Sequence, residues 1–71
     1  MTWNYRMVRK VVDGVESYGI HEVYYDDDGV PNMCTEDPCS PFGETHDELL
    51  SDMKKFSEAV EKEVLDWDSF N

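Results

Sequence analysis

The segment from Thr35 to Leu49 changes the periodicity of the chain and constrains its fold more than any other feature. Before this segment, apolar and polar residues alternate, which is typical of β-strands. Inside it, Pro38, Pro41 and Gly43 interrupt regular structure. After it, apolar residues recur every three or four positions, as they do in an amphipathic helix. The sequence therefore predicts an α+β fold in which the strands come first and a helix follows.

Three strands are predicted before the junction, at residues 3–12, 16–25 and 32–36. They are rich in aromatic and β-branched side chains, which favour the extended conformation. An Asp-Gly pair separates the first two strands, and the segment Asp26–Pro31 separates the second from the third. Because connections this short join antiparallel neighbours, we expect a three-stranded antiparallel β-meander.

One C-terminal helix is predicted over residues 45–63, covering the meander. Its start is a capping box, in which the Thr45 hydroxyl accepts from the Glu48 N–H and the Glu48 carboxylate accepts from the Thr45 N–H. An apolar stripe at helical spacing is expected to face the sheet. Its members are Leu49, Met53, Phe56 and Val60.

The second face of the predicted sheet also carries apolar side chains and needs a cover. A sheet with one wet face would show a cleaner alternation of apolar and polar residues. The tail, residues 64–71, supplies Leu65, Trp67 and Phe70, which either fold back onto the core or form a short fourth strand. We expect this tail, or a homodimer through the free face, in preference to a different partner protein. Residues 1–71 then form a single small domain.

The formal net charge is −11, and its distribution is uneven. Residues 1–12 carry three cations and no acid, whereas residues 13–71 carry seventeen acids and three lysines. Such a surface repels nucleic acid, so direct nucleic-acid binding is excluded. An acidic surface attracts a basic protein partner. The alternative explanation of the net charge is that it serves only to keep the protein soluble. No apolar leader or bilayer-length apolar run occurs, and only two cysteines occur, so we expect a cytoplasmic protein without membrane contact.

Catalytic and metal-binding patterns are weak throughout. With Gly29 at the sixth position of an EF-hand loop, Thr35 stands where a bidentate Glu is required. The possible zinc ligands have unsuitable spacing for a zinc knuckle. They are Cys34, Cys39, His21 and His46. Acidic surroundings oppose activation of a cysteine nucleophile, and 71 residues provide little material for a pocket. We therefore expect no enzyme, no cofactor and no metal site.

Acidic turns and one loop aromatic form the candidate interaction surface. Phe42, between Pro41 and Gly43, is either a plug packed near Leu49 or an exposed anchor, and the plug is favoured because large aromatics usually complete the core of a small domain. The candidate interaction residues are Asp26, Asp27, Asp28, Glu36, Asp37, Phe42 and Glu44.

Two family resemblances follow from these segments. Three strands, a loop and Gly43-Glu44-Thr45 with Glu48 opening a helix resemble the N-terminal half of HicB-type antitoxins. This resemblance spans residues 3–60 in layout, and it implies an α+β fold and a small protein that binds and neutralises another protein.

The second resemblance covers nearly the whole chain. The segments Trp3–Arg6, Tyr18–Asp26, Thr35–Pro38 and Ser40–Thr45 resemble a group of short acidic bacterial proteins with no assigned function, found in cyanobacteria and their phages. It implies a self-contained cytoplasmic domain and assigns no active residue.

Two functions therefore stay open on the sequence. The first is a non-enzymatic, adaptor- or antitoxin-like interaction module that binds a basic protein partner. The alternative is a nucleic-acid mimic whose carboxylates imitate phosphates and inhibit a DNA- or RNA-binding protein. The mimic requires its acids to lie along one surface, and the candidates are Asp26–Asp28, Glu36-Asp37 and Glu58 with Glu61.

Overall fold

The computed structural model describes residues 2–70 and shows an α+β fold with one α-helix on a four-stranded mixed sheet. The sheet order is β3-β2-β1-β4, and β4 pairs with β1 in parallel. The elements are β1 (Thr2–Val12), β2 (Val15–Tyr25), β3 (Pro31–Cys34), α1 (His46–Val60), β4 (Leu65–Asp66) and a 3-10 helix (Trp67–Phe70). The predicted α+β class and the helix on the sheet are confirmed. The prediction of only three strands, all antiparallel, is wrong, because the tail adds β4.

A long hairpin forms the centre of the sheet. β1 and β2 pair residue by residue without a bulge, from Thr2 with Tyr25 to Val12 with Val15. The turn between them has φ of 54° at Asp13 and 78° at the glycine that follows, a left-handed pair that matches the twist of a tight hairpin. Because the register is regular, paired residues share a face and successive residues alternate between faces.

The two faces of the hairpin carry different side chains. The first, called here the helix face, carries Trp3, Tyr5, Met7 and their β2 partners Tyr24, Glu22 and Ile20. The second, called here the tail face, carries Asn4, Arg6, Val8, Lys10 and their partners Val23, His21, Gly19 and Ser17.

Helix α1 covers the helix face mainly along β1. The ring of Phe56 lies 4.3 Å from the ring of Tyr5, and the Tyr5 hydroxyl donates to Asp52 Oδ1 at 2.9 Å. The least exposed positions of α1 are Leu49, Asp52, Phe56 and Ala59. The predicted stripe is therefore wrong at two positions, since Met53 and Val60 are more than half exposed. Compared with the prediction, the helix is rotated about its own axis. Asp52 therefore faces the Tyr5 hydroxyl, and the small, fully buried Ala59 packs against the sheet.

The C-terminal tail covers the tail face, which holds the most deeply buried side chains of the sheet. Val8 and Val23 have no exposed surface, and His21 is 2% exposed. Trp67 lies over this face, with the Lys10 ammonium 4.0 Å from its ring centroid and the His21 ring 5.9 Å away. Both predicted alternatives for the tail occur together: a short fourth strand, then a segment folded back. The cover comes from the same chain, so the reason given above for a dimer through this face no longer applies.

The loop after β3 completes this cover beside Gly19. A Cβ at Gly19 would lie 2.8 Å from the Cβ of Pro38, which is too close for any residue but glycine without a shift of the loop. The backbone N–H of Cys39 donates to the Ile20 carbonyl at 2.7 Å and holds the loop against the edge of β2. His21 Nδ1 lies 2.9 Å from the Thr35 carbonyl oxygen, so the buried ring has a partner.

Two element boundaries differ from their predictions by more than one residue. Helix α1 ends at Val60, three residues earlier than predicted, because the chain must turn to place Leu65 beside Val8 in β4. Arg6 Nη2 fixes this turn by donating to the Glu63 carbonyl at 2.8 Å. Strand β3 ends at Cys34, two residues earlier than predicted, because the loop toward Gly19 begins there. Asn71, the last residue of the predicted tail, lies outside the described residues.

The packing of Trp67 leads to a first prediction. Trp67→Ala removes the ring over Val8 and His21, so we expect it to lower the free energy of unfolding by about 2–3 kcal/mol, somewhat less than for a fully buried ring. Trp67→Phe should lose about half as much, because it keeps an aromatic cover. Urea unfolding followed by circular dichroism measures both values.

The exposed neighbour provides the control. Asp68→Ala lies in the same 3-10 helix and should change stability by less than about 0.5 kcal/mol. Equal losses for Trp67→Ala and Asp68→Ala would show that the tail adds nothing to the core.

Candidate functional site

The acidic turn between β2 and β3 uses one of its carboxylates for its own structure. Asp26 Oδ1 accepts from the backbone N–H of Asp28 at 2.9 Å and from that of Val30 at 3.0 Å. Gly29 has φ of 79°, the left-handed conformation expected from the sequence. Asp26 is therefore a turn-forming residue, and Asp27 and Asp28 are the exposed acids at this end of the sheet.

The second acidic group follows β3. Glu36 and Asp37 are both exposed and occupy the loop that runs toward Pro38. The four residues of β3 separate them from Asp26–Asp28, a distance of about 13 Å at the usual rise per residue. These two groups consequently lie at opposite ends of β3 and do not form one cluster.

Phe42 is 72% exposed, so the prediction that it plugs the core is wrong. Its backbone N–H donates to Asp52 Oδ2 at 2.9 Å, which fixes the loop against α1. A Cβ on Gly43 would overlap the backbone of Leu49 and Glu48, so the chain passes the start of the helix at a distance that only glycine permits. With the loop backbone held on the helix in this way, the Phe42 ring stands in solvent.

The capping box forms with one change. The Thr45 hydroxyl accepts from the Glu48 N–H at 3.1 Å, as expected. The Glu48 carboxylate accepts from the N–H of Glu44 at 3.2 Å instead of that of Thr45. Glu44 is thereby ordered next to the exposed ring of Phe42, and Phe42 and Glu44 are the two candidate residues that the helix start brings together.

Asp52 is the residue that the sequence reasoning missed. It falls outside the apolar stripe predicted above, yet its two oxygens accept from the Tyr5 hydroxyl of β1 and from the Phe42 N–H of the loop. The sequence contains a pattern that could have identified Asp52. Leu49, Asp52, Phe56 and Ala59 are separated by three, four and three positions, so they share one face of the helix. A polar residue on such an apolar face requires a hydrogen-bond partner. Burial and the hydrogen bond to Asp52 raise the pKa of Tyr5 to about 12.

The two cysteines and two histidines lie in different environments. Cys34 and Cys39 are free thiols, and burial raises the pKa of Cys34 against the opposing effect of Lys10. His46 is exposed at the start of α1, whereas His21 is buried under the tail. Within residues 2–70, no group of three or more His, Cys, Asp and Glu side chains is arranged to hold a metal ion.

Comparison with known proteins found no matching family model, no matching curated protein and no matching solved structure. Both family resemblances described above therefore stay predictions. Among the described residues, no helix combines the length and the apolar composition that crossing a membrane requires.

The hydrogen bond between Tyr5 and Asp52 makes stability depend on alkaline pH. The folded-state pKa of Tyr5, about 12, lies above its ordinary value of 10.0, so the folded state holds this proton more tightly than the unfolded state. The resulting stabilisation is complete below pH 10 and is lost as the pH rises from 10 to 12. We expect Tyr5→Phe to be about 1 kcal/mol less stable than the parent at pH 7. The difference should shrink above pH 10 in urea titrations at pH 7, 9 and 11.

Tyr18→Phe is the matched control for this experiment. The Tyr18 hydroxyl also donates to a carboxylate, that of Glu16, and this hydrogen bond raises its pKa, but the side chain is more than half exposed. Solvent screening should make its effect small at every pH. A stability difference for Tyr5→Phe that stays constant from pH 7 to 11 would contradict the assignment.

Proposed function

We propose that this protein is a small, non-enzymatic interaction module that binds a basic protein partner through the surface around Phe42. The single observation that carries the proposal is the exposed aromatic ring on an ordered, acidic loop. The surface comprises the loop and the neighbouring acidic residues, and we call it the acidic loop surface. Its members are Glu36, Asp37, Phe42 and Glu44, whereas the turn Asp26–Asp28 lies at the other end of β3 and outside this surface.

Phe42 has the properties of a binding anchor. Aromatic side chains dominate the binding energy of many interfaces because a large area leaves water at a small cost in side-chain entropy. Its backbone is already fixed by the bond to Asp52 and by the close passage of Gly43 beside Leu49. A partner would therefore bind a largely preorganised loop, which lowers the entropy lost on association.

The charge around this anchor favours a basic partner. Glu36, Asp37 and Glu44 are exposed, and the whole chain carries a formal net charge of −11. Complementary charge raises the rate of encounter, and its effect decreases as salt screens it. Two free cysteines support a reducing compartment, so we place the protein in the cytoplasm.

The nucleic-acid mimic is the less favoured alternative. It needs an uninterrupted row of carboxylates, but Glu58 lies between Lys55 and Lys62 around one cleft. The turn acids and the loop acids are separated by β3. An interaction module needs one anchored patch and no such row.

The proposal is tested by affinity capture with matched variants. The full chain is immobilised, and binding is measured in a native extract of the source cells at about 0.05 and 0.5 M salt, where screening differs strongly. We expect a basic protein that is retained at low salt and released at high salt. With that protein purified, Phe42→Ala should weaken binding at least about tenfold.

Val60→Ala is the control for lost apolar surface, because Val60 is also exposed but lies at the other end of α1. Neutralising Glu36 and Asp37 together should slow association several-fold, whereas Asp68→Asn should leave the rate unchanged. Equal affinities for the Phe42 and Val60 variants, or a partner whose binding ignores salt, would overturn the proposal.

A further inference from the structure

A cleft of about 380 Å³ lies on the helix face, away from the acidic loop surface. Its walls come from the first residues of β1, from the C-terminal half of α1 and from the turn that follows α1. The lining residues are Trp3, Asn4, Tyr5, Lys55, Glu58 and Lys62. The volume is within the range of small-molecule sites, which are commonly built from aromatic walls and a few polar groups.

The aromatic wall of this cleft is held rigidly. The ring of Trp3 meets that of Tyr5 edge to face, with centroids 5.3 Å apart and planes at 84°. Tyr5 is itself fixed by the ring of Phe56 and by its hydrogen bond to Asp52. Trp3 nevertheless keeps 46% of its surface exposed, so an indole ring stands available on a fixed support.

The charge in the cleft is opposite to that of the rest of the molecule. Residues 13–71 contain seventeen acids and three lysines, and two of those lysines, Lys55 and Lys62, line the cleft. Neither ammonium group forms an ion pair within residues 2–70. The Asn4 side chain belongs to the tail face, where its Oδ1 accepts from the Tyr25 hydroxyl, so it adds no donor to the cleft.

We propose that this cleft binds a small planar anion, namely an aromatic ring that carries a phosphate or carboxylate group. The ring stacks on Trp3, and the anionic group is held by Lys55 and Lys62. Glu58 is the one lining residue that opposes such a ligand. This site is separate from the acidic loop surface and does not depend on the proposed partner.

The two tryptophans allow a direct test by NMR. The indole N–H resonance of Trp3 reports on the cleft, and that of Trp67, which lies on the tail face, serves as an internal control. The probes are adenosine 5′-monophosphate for a phosphate and 4-hydroxyphenylacetate for a carboxylate. At about 0.15 M salt, where net repulsion is screened, at least one probe should shift Trp3 and not Trp67, with a Kd below about 5 mM. Adenosine, without charge, and inorganic phosphate, without a ring, should bind at least about fivefold more weakly.

Charge variants give effects of opposite sign. Lys55→Gln and Lys62→Gln should each weaken binding about two- to fivefold, as expected for exposed charge pairs. Lys54→Gln changes the net charge equally but does not line the cleft, so it should have no such effect. Glu58→Gln should tighten binding about two- to fivefold, whereas Glu61→Gln, which is outside the cleft, should not.

Three results would overturn the proposal. The first is no shift of Trp3 with either probe up to about 10 mM, which corresponds to negligible affinity. The second is an equal effect of Lys54→Gln and Lys55→Gln, which would indicate long-range attraction only. The third is a Glu58→Gln variant that binds the probes more weakly than the parent does. That result would show that the Glu58 carboxylate attracts the ligand, as expected for a ligand with a cationic group. Urea unfolding of each variant confirms that the fold is retained.

Discussion

The stacking of Trp67 on Lys10 and His21 is the interaction on which the rest of the fold depends. A hairpin with apolar side chains on both faces needs two covers, and one helix supplies only one. The tail supplies the second cover. It pairs with β1 as the edge strand β4 and then places the Trp67 ring over the tail face, where Val8 and Val23 are fully buried. In so small a domain, this second layer completes a core that the helix alone leaves open.

Asp52 has an equivalent role on the opposite face. One carboxylate joins β1 through Tyr5, the loop through the Phe42 N–H, and α1 through its own backbone. A single acid thus sets the rotation of the helix, the exposure of Phe42 and the position of the Tyr5 ring that supports Trp3. Both candidate sites consequently share one structural support, although they lie on different parts of the surface.

Local chemistry made much of this fold predictable. The Asp13 turn, the Thr45 cap and the two long strands follow from rules that act over a few residues. Features set by contacts between distant residues were not predictable: the parallel pairing of β4 with β1 depends on Leu65 meeting Val8, and the rotation of α1 depends on Tyr5 meeting Asp52. The cleft could not be predicted either, because its two walls lie about fifty residues apart in the sequence.

The three-dimensional structure shows which contacts the unevenly distributed charged residues make. The N-terminal cations are used inside the fold: Arg6 binds the Glu63 carbonyl, Arg9 pairs with Glu16 and Asp66, and Lys10 lies on Trp67. Among residues 2–70, no ion pair joins these three cations to Glu36, Asp37 or Glu44. The remaining lysines lie in α1 and in the turn after it, and two of them, Lys55 and Lys62, border a fixed indole ring. In the two proposals made above, the acidic loop surface binds a basic protein and the cleft binds a small anion. The two surfaces share no lining residue, although both depend on the hydrogen bonds of Asp52.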